Sequence, residues 1–95
     1  GITIACGGFF GPQGRELRIP LADPHQNEKV ESFVYGDLRI TNFEMESSAL
    51  AGLSALMGHK AMTCCMVIAN RVAKEANANY KNSIDNLIIE VLDRI

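Results

Sequence analysis

Apolar residues in this chain fall into short strand-like runs and two helical stripes, separated by glycine, proline and polar turns. Residues 1–6 (Gly-Ile-Thr-Ile-Ala-Cys) are short, apolar and partly β-branched and precede Gly7-Gly8, which predicts a buried strand running into a loop. In residues 16–21, Leu17, Ile19 and Leu21 alternate with polar or turn residues, the pattern of a short edge strand ending at Pro20. Asp23-Pro24 supplies an N-cap and a first helical position, so residues 25–33 are expected as a polar surface helix closed by Gly36. Residues 38–43 predict a second buried strand. Residues 47–57 predict a helix with Leu50, Leu53 and Met57 on one stripe, and with Ala49, Ala51, Gly52 and Ala55 for close approach to a sheet. Gly58 stands where a left-handed C′ residue is wanted, with His59 and Lys60 facing the negative end of the helix dipole.

Residues 61–69 are almost continuously apolar, as in a central parallel strand covered on both faces. Residues 71–82 lack a strong period and read as a loop or a weak helical turn over a site. Ser83 then caps a final helix whose Ile84, Leu87, Ile88, Val91, Leu92 and Ile95 hold helical spacing. Helices crossing between buried strands imply an α/β sheet with helices on its faces.

Composition narrows this picture. The 95 residues, 47% hydrophobic and 21% charged, make at most one globular domain with a modest core. A net charge of −2 gives no basic field for nucleic acid, and no apolar run has the length of a membrane span. Cys64 and Cys65 lie side by side in an apolar run, which together with Cys6 suits buried reduced thiols and a cytoplasmic protein. His25 has no second ligand at metal-binding spacing and is expected to be solvated, and no metal is expected. Beginning at Gly1 inside an apolar segment, the chain is expected to be a piece of something longer.

Candidate chemistry concentrates in two stretches. Gly7, Gly8, Gly11 and Gly14, with Pro12, punctuate Phe9, Phe10, Gln13 and Arg15, an aromatic pair and a polar pair on backbone expected to be mobile. The glycine spacing fits neither a Walker loop nor Gly-x-Gly-x-x-Gly. Asn42-Phe43-Glu44-Met45-Glu46-Ser47 joins the second strand to a helix. On extended backbone Glu44 and Glu46 share a face, offering acceptors for sugar hydroxyls, with a thioether beside them as a compliant apolar floor. The same residues also read as two solvated acids beside a buried methionine.

Taken together, Phe9-Phe10-Gly11-Pro12-Gln13-Gly14-Arg15, Phe43-Glu44-Met45-Glu46-Ser47 and Val67-Ile68-Ala69-Asn70-Arg71 resemble, in order and spacing, the carboxyl-terminal part of uridine phosphorylases in the nucleoside phosphorylase superfamily. The resemblance implies that residues 1–95 are part of a single α/β domain. That domain would be a three-layer α/β/α sandwich with a mixed sheet and flanking helices, its upstream phosphate-binding part lying outside these residues. It implies a pentosyltransferase that converts uridine and phosphate to uracil and ribose 1-phosphate, with no cofactor beyond phosphate as co-substrate. It also implies a homo-oligomer. Carried onto matching positions, Gln13 and Arg15 would read the uracil edge, Phe9 would pack on the ring, and Ile68, Ala69 and Arg71 would line the base pocket. Met45 and Glu46 would hold the ribose, with Glu44 supporting that ribose-binding corner, and Arg15 and Glu46 would act in catalysis.

As the family is usually described, purine-cleaving relatives carry an acid near the position of Asn70, and an amide is no general acid, which favours a pyrimidine. The family commonly has Tyr after the first loop Phe, where this chain has Phe10. Three other readings stay open: a non-catalytic nucleoside-binding or oligomerisation module, a purine nucleoside phosphorylase relative, and a nucleosidase that uses water.

Overall fold

A computed structural model describes residues 1–95. Residues 1–63 and residues 64–95 form separate compact units. In the first, β1 (Ile2–Ala5), α1 (Gln26–Ser32), β2 (Val34–Tyr35), β3 (Leu38–Glu44) and α2 (Ser47–Leu56) follow in order. β3 is the centre of a mixed sheet in the order β1-β3-β2, parallel to β1 and antiparallel to β2. The parallel ladder runs Thr3 to Asn42, Ile4 to Phe43 and Ala5 to Glu44, and continues beyond β1 as the Cys6 amide donates to the Glu44 carbonyl at 2.9 Å. Both strands therefore end at one edge, where β1 hands over to the glycine-rich loop and β3 to the Glu-Met-Glu corner.

The antiparallel neighbour is a departure from expectation. The helix over residues 25–33 forms as Gln26–Ser32, but Gly36 does not close it. Phe33, Val34 and Tyr35, aromatic and β-branched, take extended backbone instead, and Gly36-Asp37 makes a two-residue hairpin turn with Gly36 at φ 59°. Nor does Pro24 open the helix. Asp23 accepts the His25 amide at 3.0 Å and the Lys29 ammonium at 2.6 Å, a bridge that fixes the turn before α1. His25 is exposed and contacts Glu28 at 3.0 Å.

Residues 16–21 bend without pairing to any strand, and Leu17 and Ile19 are exposed. Alternation cannot hold an extended segment that lacks a ladder partner, and Pro20 has no N–H to offer one. α2 ends as its sequence predicts. Gly58, at φ 73°, donates to the Ala55 carbonyl at 3.2 Å and His59 to the Ser54 carbonyl at 2.7 Å, a Schellman closure. Its apolar stripe is uncovered, with Leu50, Leu53, Leu56 and Met57 all exposed. The buried side chains are Cys6 and Gln13, so the expected core is much reduced.

In the second unit, β4 (Ala69–Asn70) pairs antiparallel with β5 (Glu75–Ala76), and α3 (Tyr80–Leu92) follows. The central parallel strand expected over residues 61–69 does not form; residues 61–68 have no repeating structure, and Met62 and Val67 are exposed. A parallel strand of this kind needs neighbours on both sides and cover on both faces, and a hairpin supplies neither. Cys64 and Cys65 are likewise exposed free thiols rather than a buried pair. α3 starts three residues before Ser83, behind Asn79, while the Ser83 hydroxyl accepts from the Asn77 amide at 3.3 Å. No helix is long and apolar enough to cross a membrane.

Candidate functional site

The glycine-rich loop has a defined, hydrogen-bonded geometry. Gly11–Gln13 forms one 3-10 turn, closed by Gly14 in left-handed backbone at φ 67° whose amide donates to the Gly11 carbonyl at 2.8 Å. The Gln13 and Arg15 amides both donate to the Phe10 carbonyl at 3.0 Å. α1 ties the turn down, since the Gln26 amide reaches the Pro12 carbonyl at 3.0 Å and the Asn27 amide the Gly14 carbonyl at 2.8 Å. From the strand side, the Cys6 thiol donates to the Pro12 carbonyl at 3.4 Å. A Cβ on Gly14 would meet the end of the Asn27 side chain and push it off the Gly14 carbonyl, and the left-handed φ itself favours glycine.

This scaffold brings three candidate residues into one cluster. Arg15 Nη1 donates to the Phe9 carbonyl and to Gln13 Oε1, each at 2.5 Å, and its guanidinium lies 3.7 Å from the centre of the Phe9 ring. Phe9 and Phe10 meet edge to face at 5.3 Å. Gln13 is 5% exposed and Phe9 50% exposed, so a buried amide and a cation-backed aromatic face share the loop. Arg15 binds a carbonyl, an amide and a ring, which is the arrangement of a positioned guanidinium rather than of a swinging surface charge.

At the end of β3 the geometry differs from the extended reading. β3 stops at Glu44, and Glu46 takes helical backbone (φ −117°, ψ −29°), so the two carboxylates do not share a strand face. Glu44 folds forward over the start of α2. Its Oε2 accepts the Glu46 amide at 2.9 Å and the Ser47 amide at 2.6 Å, and its Oε1 accepts the Ser47 hydroxyl at 2.5 Å. That hydroxyl, foremost, pulls the Glu44 carboxyl below its ordinary value of 4.5; partial burial opposes the shift, and the two backbone amides add to it. Glu46 makes no cap to the helix, and its Oε2 accepts the Met45 amide at 3.1 Å. Met45 and Glu46 are both exposed.

Ile68, Ala69 and Arg71 lie in the second unit. The Ile68 carbonyl accepts the Asn77 amide at 2.8 Å, Ala69 opens β4, and Arg71 begins the turn between β4 and β5, where its carbonyl accepts the Lys74 amide at 3.4 Å. Asn70 serves this turn, its Oδ1 accepting the Ala73 amide at 3.1 Å. A cleft of about 560 Å³ opens beside the first loop, lined by Phe10, Pro12, Arg15, Leu17, Ile19 and Leu21 among others. Of the residues assigned to base or ribose only Arg15 borders it; Glu44, Met45 and Glu46 do not. The volume is of ligand size, but the polar side chains that could orient a nucleoside cluster at the strand ends instead. Sequence reasoning missed Gln26 and Asn27 and named Ser47 within its motif without a role; all three touch the site only through other groups. The available signal was an amide pair at the start of a helix, directly after a glycine-rich loop that needs donors for its carbonyls.

Comparison with known proteins gives one relationship. The chain is 38% identical over 81 residues to a uridine phosphorylase of Thermococcus kodakarensis, an alignment that covers 79% of this chain and 26% of the relative. The chain thus spans about a quarter of the length of the protein it matches. No family model matches it. No solved structure does either.

Proposed function

We propose that these residues carry the base-reading and sugar-holding half of a pyrimidine nucleoside phosphorylase site, in a protein that converts uridine and phosphate to uracil and ribose 1-phosphate. One observation carries the proposal: the parallel β1–β3 pair ends with the Phe9-Gln13-Arg15 loop and the Glu44-Met45-Glu46 corner at the same edge. Ligands of α/β sheets collect at that edge. The 38% identity to a uridine phosphorylase supports the substrate class.

Cleavage of the glycosidic bond sends negative charge into the departing base and positive character into the sugar. Arg15, stacked on Phe9, supplies a fixed positive charge for the pyrimidine carbonyls, and Gln13, whose oxygen accepts from Arg15, is the second reader of the uracil edge. Such donors accelerate the reaction because the charge they meet grows in the transition state. Phe9 packs on the base. Glu46 accepts from the ribose hydroxyls and offsets the positive character of the sugar, with Met45 beneath the ring and Glu44 supporting them. Asn70, already committed to its turn and without an acidic proton, favours a pyrimidine over a purine.

The phosphate site belongs to other parts of the enzyme, so residues 1–95 alone do not phosphorolyse uridine. In the full protein they form part of a three-layer α/β/α sandwich, within a cytoplasmic homo-oligomer. The exposed apolar stripe of α2 fits a helix layer that packs against further structure. The test is release of uracil from uridine in the presence of phosphate. The protein in its full natural length is expected to be active and residues 1–95 inactive. Release of hypoxanthine from inosine at a higher rate than uracil from uridine would reverse the base assignment.

A further inference from the structure

The start of α2 poses a problem for a sugar-binding carboxylate. The first turn of a helix presents unpaired N–H groups and the positive end of its dipole, and any nearby carboxylate is drawn to them. Glu46 occupies the N-cap position, where a short side chain such as Asp or Ser ordinarily turns back onto the helix. It does not do so. The capping acid is Glu44, three residues upstream of Ser47, and Ser47 donates its hydroxyl to that carboxylate while donating its amide to the other oxygen of the same group. In the usual capping box the serine precedes the acid and each side chain reaches a backbone amide; here the order is reversed and the two side chains bond each other directly.

We infer that Ser47 and Glu44 form a clasp that positions Glu46, occupying the helix terminus so that the Glu46 carboxylate, which takes the Met45 amide on one oxygen, keeps its other oxygen for sugar hydroxyls. This rests on the nucleoside reading above. Glu44 is then a positioning residue, holding the Glu46 backbone amide at 2.9 Å, and Ser47 is its orienting partner. Without the Ser47 hydroxyl, Glu44 loses one of its three charge-assisted bonds, the terminus is less well served, and Glu46 competes for it.

The test separates sugar from base. In the protein of full natural length, Ser47→Ala is expected to weaken uridine binding about tenfold, as for loss of one hydrogen bond to a charged group. Uracil, which has no sugar, should bind as before. Ser47→Thr keeps the hydroxyl and should restore uridine affinity to within about twofold. Equal loss of uridine and uracil in Ser47→Ala, or no loss of either, overturns the clasp. The Glu46 amide proton provides an independent readout. Its NMR resonance should move upfield in Glu44→Gln and in Ser47→Ala, and an unmoved resonance in both also overturns the clasp. A wild-type protein that binds neither uridine nor uracil overturns the nucleoside reading and the clasp's part in sugar binding, while the amide resonance still judges the clasp's geometry.

Discussion

Glu44 is where strand, helix and candidate sugar site meet, and its titration is a direct handle on them. Its carboxyl is held below the ordinary value, chiefly by the Ser47 hydroxyl, so its contribution to stability is fully present above the unfolded value and is lost as pH falls through the lowered folded one. Thermal melts of wild type and Glu44→Gln should differ at neutral pH and converge in acid. A difference that persists below the lowered value would show that the carboxylate charge is not what stabilises the corner. The chemistry of the Glu-Met-Glu stretch was legible from residue identity alone, because acceptors and a thioether keep their character in any fold. Its orientation was not. Residues two apart share a face only while the backbone stays extended, and here it turns helical at Glu46. Arg15 could equally have been a surface ion-pairing residue; its stacking on Phe9 depends on a turn whose shape is set by Asn27, thirteen residues beyond the carbonyl it binds.

At the scale of elements, the candidate base site stands on a tripod of β1, the 3-10 turn and α1. Asn27→Ala removes one of the two bonds by which α1 holds the turn. The Gln13 and Arg15 amides should then exchange with solvent roughly tenfold faster, while amides in the centre of β3 keep their rates. Gly14→Ala is more severe, combining left-handed backbone at a cost of about 1–2 kcal/mol with a clash against Asn27, and should lower the melting temperature of residues 1–63. β1, β3, α2 and α3 were all legible, because their periods are strong and each owes its identity to local pattern. β2 was hidden in plain view as Phe33-Val34-Tyr35 before Gly36-Asp37, a hairpin signal outweighed by reading Gly36 as a helix stop. Residues 61–69 carry the composition of a buried strand, but composition cannot supply the neighbours that would make one.

At the scale of the whole molecule, nearly half of the residues are hydrophobic and few are buried. Leu53 and Leu56 on α2 are 60% and 86% exposed. An apolar stripe of this kind costs free energy in water, about 25 cal/mol for each Å² left uncovered, and drives association. Residues 1–95 in isolation should bind an apolar fluorescent dye and grow in apparent mass with concentration, and Leu53→Lys with Leu56→Lys should reduce both signals. Unchanged dye binding in that double variant would mean that α2 is not the sticky surface. The central claim, that the loop after β1 and the corner after β3 hold a pyrimidine nucleoside, is tested most directly by calorimetric titration of uridine and then inosine into the protein of full natural length, alongside Arg15→Ala. Binding of uridine that is lost in Arg15→Ala, with no signal from inosine, is the predicted result. Uridine binding that Arg15→Ala leaves intact, or no uridine binding by the folded wild-type protein, would contradict it.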